Sequence, residues 1–149
     1  MNNLKEFLPL MLFDGECMLC NRLVQFILRH QKKPVFFGSL QSAAGHLVRQ
    51  SVERKTSSDS LLVVTDILES GPVVRIKSAA VWFILARLKY PWRLLIVFKL
   101  LPFFISDRLY DLVAACRYKI WGRTERCFIP DPVYQQRFID NNQAGIERS

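Results

Sequence analysis

The sequence predicts an α/β fold, a β-α-β-α-β-β-α core followed by additional C-terminal helices. Three observations carry this expectation. Up to about residue 90, short apolar or alternating runs bounded by Gly, Pro and Asp recur between segments of helical period. A cysteine pair, Cys17-Met18-Leu19-Cys20, stands where the first apolar run gives way to the first helical segment. Beyond the core, about sixty further residues read as apolar and helical. A chain of 149 residues, half of them hydrophobic, suits one domain with a real core and is too apolar for disorder. The core is expected over about 8–90, the helical extension over about 91–138 and a tail over 139–149.

Leu8 to Phe13 is apolar apart from Pro9 and fits a buried strand. Asp14-Gly15-Glu16 is a turn, and residues 18–31 form a helix stopped by Lys32-Lys33-Pro34. Val35-Phe36-Phe37 is a second strand, and Gln41 to Val52 a second helix with Gly45 as its weak point. After a polar stretch from Glu53 to Asp59, Leu61–Thr65 and Val73–Ile76 form an antiparallel hairpin about Glu69-Ser70-Gly71-Pro72. Lys77-Ser78 opens a third helix, Ala79 to Lys89, that stops near Tyr90-Pro91. Two strand–helix–strand units favour a parallel sheet, and the hairpin adds an antiparallel edge. That is the order of a thioredoxin or glutaredoxin core.

In the extension, Leu94 to Ile105 is strongly apolar, interrupted by Lys99 and Pro102. Asp107 to Trp121 has helical period through Leu109, Leu112, Val113, Cys116 and Ile120. Apolar helical faces usually pack inward, so these helices are expected to lie on the core. The alternative is an interfacial hairpin that turns Trp82, Trp92, Phe98, Phe103 and Phe104 toward lipid. A membrane span needs ~20 mainly apolar residues. The window 81–105 carries Arg87, Lys89, Arg93 and Lys99, so no span is expected.

The net charge of +8 lies in one region. Residues 1–74 carry 8 basic and 7 acidic groups, residues 75–126 carry 11 and 3, and residues 127–149 carry 2 and 3. A basic, apolar segment suits a peripheral membrane surface or an acidic partner, or is a solvated basic face. Nucleic acid is not expected, because no recognised motif and no dense Lys/Arg run is present. The N-terminus lacks a secretory signal pattern, and four cysteines in such a chain point to redox or metal chemistry in a reducing cytoplasm.

Cys17 and Cys20 fall in the first helical turn, on one face, so their sulfurs can meet. A helix N-terminus favours a thiolate, which is the reactive form. Cys17, nearer the N-terminus and after an exposed turn, is expected to attack a substrate disulfide. Cys20, one turn in and more buried, is expected to resolve the mixed disulfide. Asp14 either accepts the Cys20 proton or fixes the turn and helix cap. Asp14 and Glu16 oppose thiolate formation and only Arg22 stands near to offset them, so a moderate or reductant-type dithiol is expected.

Several segments together resemble the DCC family of thiol-disulfide oxidoreductases. They are Asp14-Gly15-Glu16-Cys17-Met18-Leu19-Cys20, Ser39-Leu40-Gln41-Ser42, Lys77-Ser78-Ala79-Ala80, and Arg117-Tyr118-Lys119-Ile120-Trp121-Gly122 followed by Cys127. The resemblance spans roughly residues 9 to 138 and implies a thioredoxin-like fold with dithiol redox activity. One departure from thioredoxins is that no proline stands near Ser58-Asp59-Ser60, before the third core strand. Met18, Leu19, Gln41, Ser42, Asp59 and Ser60 are the candidate substrate contacts; Ser42 is also a helix cap. Cys127 is either an auxiliary thiol or a packed small hydrophobe.

The resulting expectation is a thiol-disulfide oxidoreductase with no dissociable cofactor. It would act on a protein or small-molecule thiol or disulfide and draw electrons from another thiol system. Two alternatives stand beside it. One is a non-enzymatic module whose basic apolar helices bind a membrane surface or protein. The other is a metal-binding protein, against which stands the lack of a second close ligand pair among Cys116, Cys127, His30 and His46.

Overall fold

The computed structural model describes residues 2–52, 61–68, 70–124 and 131–139. After a 3-10 turn over Asn2–Phe7 come strand β1 (Leu10–Phe13), helix α1 (Met18–His30), β2 (Phe36–Ser39) and α2 (Ala43–Val52). Then follow β3 (Leu62–Leu68), β4 (Gly71–Ile76) and α3 (Lys77–Leu85). The extension holds a 3-10 stretch (Trp92–Leu100), α4 (Phe103–Trp121) and a short 3-10 segment (Pro132–Arg137). The element order of the core is the expected one, and the fold is thioredoxin-like.

All four β1 residues are buried because both faces of the sheet are covered. Met11 and Phe13 pack with Val24, Ile27 and Leu28 of α1 and Ala80 and Ile84 of α3. Leu10 and Leu12 pack on the other side with Ala44 and Val48 of α2. The strand's alternation therefore feeds two cores, and the continuous apolar run is its sequence trace. Gly45 is what lets α2 lie so close to the end of β2. A Cβ there would run into the Ser39 carbonyl and lie 2.7 Å from the Leu40 carbonyl oxygen. Phe138 bridges to Phe37, so residues 131–139 return to the β2 edge.

The sheet order is β2-β1-β3-β4. β1 and β2 are parallel, with Leu10 opposite Phe36. β3 is antiparallel to β1, with Leu62 opposite Leu12, and β4 is antiparallel to β3. The expectation of a mainly parallel sheet with one antiparallel edge is thus corrected at β3. Leu62, the first residue of β3, pairs with Leu12 near the C-terminal end of β1, so the third strand enters from the cysteine end.

The extension departs further from expectation. α4 does not turn its apolar stripe inward: Leu112 and Ile120 are 61% and 65% exposed, while Ser106 and Arg117 are buried. Polar tethers set its rotation. Asp107 bonds to Ser78, Asp111 pairs with Lys77 at 3.0 Å, and the Tyr110 hydroxyl accepts the Leu61 N–H at 2.8 Å. The 3-10 stretch buries no residue fully, and Leu100, Phe103 and Phe104 are 86%, 70% and 68% exposed. Core packing of these helices, expected from their hydropathy, is therefore corrected for this face. No described helix is long and apolar enough to cross a membrane.

Candidate active site

The turn Asp14–Glu16 joins β1 to α1 and places Cys17 at the helix N-cap. Cys17 Sγ accepts the Cys20 N–H at 3.4 Å. The two sulfurs therefore share one turn, as i and i+3 should. An anion at an N-cap takes up helix N–H donors that have no partner within the helix. Burial, then the bond to Cys17 and its charge, push the Cys20 thiol up to about 12, against the pull of Arg117. Cys20 thus keeps its proton at neutral pH.

Burial runs opposite to expectation. Cys17 is wholly buried, whereas Cys20 is half-buried. The cause is the chain after α4. Gly122 takes φ 78°, a value that favours glycine, and swings the backbone back over the turn. Arg123 then bridges to Cys17, and the Thr124 N–H donates to the Glu16 carbonyl at 2.9 Å.

Asp14 is buried and organises the site. Its Oδ1 accepts the Glu16 N–H and the Gln41 side-chain amide, each at 3.0 Å. Its Oδ2 accepts the Tyr118 hydroxyl and faces Arg117 at 3.4 Å, with both members of the ion pair buried. Burial opposes ionisation of Asp14. The bonds from Tyr118, Gln41 and Glu16 and the charge of Arg117 outweigh it and hold the carboxyl below its ordinary value. Burial and the bond to Asp14 push the Tyr118 hydroxyl up to about 12, so it stays a donor. The Arg117 and Arg123 guanidinium groups stack on the Tyr118 ring at 4.7 and 4.2 Å.

The other expected residues divide. Gln41 reaches the site, since it also accepts the Gly15 N–H at 3.3 Å. Ser42 caps α2 by accepting the Gly45 N–H at 3.2 Å. Leu19 and Cys20 line a cavity of about 470 Å³ between α1, α3, the 3-10 stretch and α4, whereas Met18 is exposed. Asp59, Ser60 and Cys127 lie outside the described residues. His30 packs against Phe26 and Trp92, His46 is exposed on the opposite layer, and Cys116 is half-buried on α4. Among the described residues, no three His, Cys, Asp or Glu side chains gather at one point.

Sequence reasoning placed Arg117 and Tyr118 in the family block but gave neither a role beside the cysteines; Arg22, the counter-charge it offered, is exposed. One signal was present. Ser106, Tyr110, Ala114 and Arg117 recur at spacings of four, four and three, a polar-tipped helix face against the apolar stripe beside it.

A family model described as DCC1-like thiol-disulfide oxidoreductase matches residues 11–123, from β1 to the bridge over Cys17. The uncharacterized protein YuxK of Bacillus subtilis (strain 168) is 36% identical over 131 residues, covering 87% of this chain and 92% of that protein. A chloroplastic DCC family protein of Arabidopsis thaliana is 36% identical over 121 residues, covering 80% of this chain and 68% of that protein. No solved structure matches the chain. The chain belongs to the DCC1-like thiol-disulfide oxidoreductase family.

Proposed function

We propose that this family member carries out thiol–disulfide exchange through a Cys17–Cys20 dithiol. The observation that carries the reading is the sulfur pair in the first turn of α1, with Cys17 at the N-cap and its Sγ accepting the Cys20 N–H. The N-cap position and access, both expected at Cys17, are divided between the sulfurs. Cys17 Sγ sits at the N-cap and accepts the Cys20 N–H, and Cys20 presents its sulfur to the substrate. In the oxidised protein a substrate thiolate attacks Cys20 Sγ. The Cys17–Cys20 bond breaks and its electron pair leaves with Cys17, whose thiolate takes the Cys20 N–H. A second substrate thiolate then attacks the substrate sulfur of the mixed disulfide. The substrate leaves as its disulfide, and Cys20 takes up a proton. Two electrons pass from two thiols to the protein disulfide, and the reverse sequence reduces a disulfide. Asp14 acts as a positioning residue that holds Arg117 beside the sulfurs.

A redox titration in dithiothreitol buffers, read by alkylation and mass, tests the reading. A two-electron transition at roughly −120 to −270 mV is expected; if no Cys17–Cys20 disulfide forms, the reading fails. Oxidised protein treated with limiting small thiol and then alkylated is expected to carry the thiol on Cys20 and the alkyl group on Cys17. The opposite map would return the attack to Cys17, with the Arg123–Thr124 segment lifting to admit it.

A second role is favoured by the exposed Leu100, Phe103 and Phe104 and the exposed Arg93, Lys99 and Arg108 of the same segment. We propose that this surface rests on anionic membrane lipid, its aromatics in the headgroup boundary and its cations on the phosphates. Salt-sensitive binding to vesicles containing anionic lipid, retained in the Cys17→Ser and Cys20→Ser variants, is the expected outcome. Vesicle binding that is absent at low salt would remove this role.

A further inference from the structure

The cavity beside Cys20 limits what the dithiol can meet. It has a volume of about 470 Å³, within the range of small-molecule sites. Cys20 stands in its wall and Cys17 does not. Most of the wall is carbon, from Leu23, Trp82, Phe98, Leu109 and Val113 among others. Polar side chains border it too, and most of them already have partners. Asp14 holds Arg117 and Tyr118, Ser78 bonds to Asp107, and Tyr110 accepts the Leu61 N–H. A charged ligand would leave water for a wall that is almost all carbon and whose Arg117 is already paired with Asp14, and burying a poorly paired charge is costly. An uncharged apolar ligand meets no such penalty and removes apolar surface from water.

We infer that the cavity is a substrate site for a small, uncharged, apolar thiol or its disulfide, bound with its sulfur against Cys20. This rests on the dithiol reading above. As the sulfur of a bound apolar thiol attacks Cys20 Sγ, the thiol's proton passes to solvent, the Cys17–Cys20 bond breaks, and Cys17 leaves with its electron pair as the thiolate. A second molecule of the thiol then completes the disulfide, so two thiols lose two electrons and the Cys17–Cys20 disulfide gains them. Glutathione, which carries carboxylates and an ammonium group, is excluded by the same wall.

Two measurements test the inference. The neutral dye N-phenyl-1-naphthylamine, titrated into the wild-type protein, is expected to bind saturably. Dipropyl disulfide should displace it and glutathione disulfide should not. The reduced protein is expected to be oxidised about tenfold faster by dipropyl disulfide than by glutathione disulfide, each rate taken relative to that with dithiothreitol. Val113→Trp and Ala114→Phe each fill the cavity from α4 and should abolish dye binding while the Cys17–Cys20 potential stays unchanged. Equal relative rates, or a dye signal that these variants leave intact, would overturn the apolar site while the dithiol reading stands. A protein that binds the dye but never forms the Cys17–Cys20 disulfide would overturn the dithiol reading instead.

Discussion

The core and the extension obey opposite patterning. In β1 every side chain is apolar and buried, and the neighbouring helices add their apolar faces. In α4 the buried residues are Ser106 and Arg117, and Leu112 and Ile120 look outward. The core is organised by removing carbon from water, the extension by a few directed polar contacts. A segment held that way can bring a charge to a site and leave its apolar surface free for another use. The contrast also explains why one helix contributes both the Arg117 that meets Asp14 and part of the cavity wall.

Substitutions can break this contrast or sharpen it. The largest effect is expected at the point where the two regions meet. Arg117→Ala leaves the Asp14 carboxylate buried without its ion-pair partner and should cost about 4 kcal/mol in urea unfolding. A cost under about 1 kcal/mol would mean that the extension is only loosely held. Met11→Ala, a plain cavity in the core, should cost about 3 kcal/mol in the same assay. If Arg117→Ala costs as much as Met11→Ala, polar tethering matches apolar packing in strength.

The pH dependence comes next in size. Asp14 has a folded value below its ordinary 3.8, so its contribution is fully present above that value and is lost as pH falls through the lower one. Urea midpoints should therefore fall on acidification below about pH 4 in the wild type. The drop should be smaller in Asp14→Asn, and parallel curves for the two proteins would deny Asp14 its partners. The smallest change in stability is expected on the outer face. Phe103→Ser and Phe104→Ser should each stay within about 0.5 kcal/mol of wild type, as exposed positions do. Together they should weaken binding to anionic vesicles by about tenfold. Destabilisation on the scale of Met11→Ala would show that this face is packed after all.

The sequence made the near parts legible and the far parts not. Leu10–Phe13, the turn and the Cys17–Cys20 pair are local, and their spacing alone implied a strand, a turn and a helix cap. The direction of β3 was not legible, because nothing within a strand's own residues states the end from which it enters. The rotation of α4 was misread for a related reason. Leu109, Leu112 and Ile120 mark an apolar face, but periodicity does not say whether that face turns inward. Partners for Asp107, Tyr110, Asp111 and Arg117 decide it, and those partners lie in other elements. Asp14 was legible as a turn residue, but Arg117 stands 103 positions away and stood only within a block shared with the family, with no role given to it.

That distance has a consequence in time. The cysteine pair leaves the ribosome early, and the arginine that faces its neighbouring carboxylate leaves late. At roughly 5–20 residues per second, the stretch from Cys17 to Arg117 takes on the order of 5–20 s to synthesise. Throughout that interval the nascent chain has its thiols but neither their counter-charge nor the Arg123–Thr124 cover. The order of translation thus makes the assembled site a late event, and a chain cut short before α4 carries the sulfurs without the setting that tunes them.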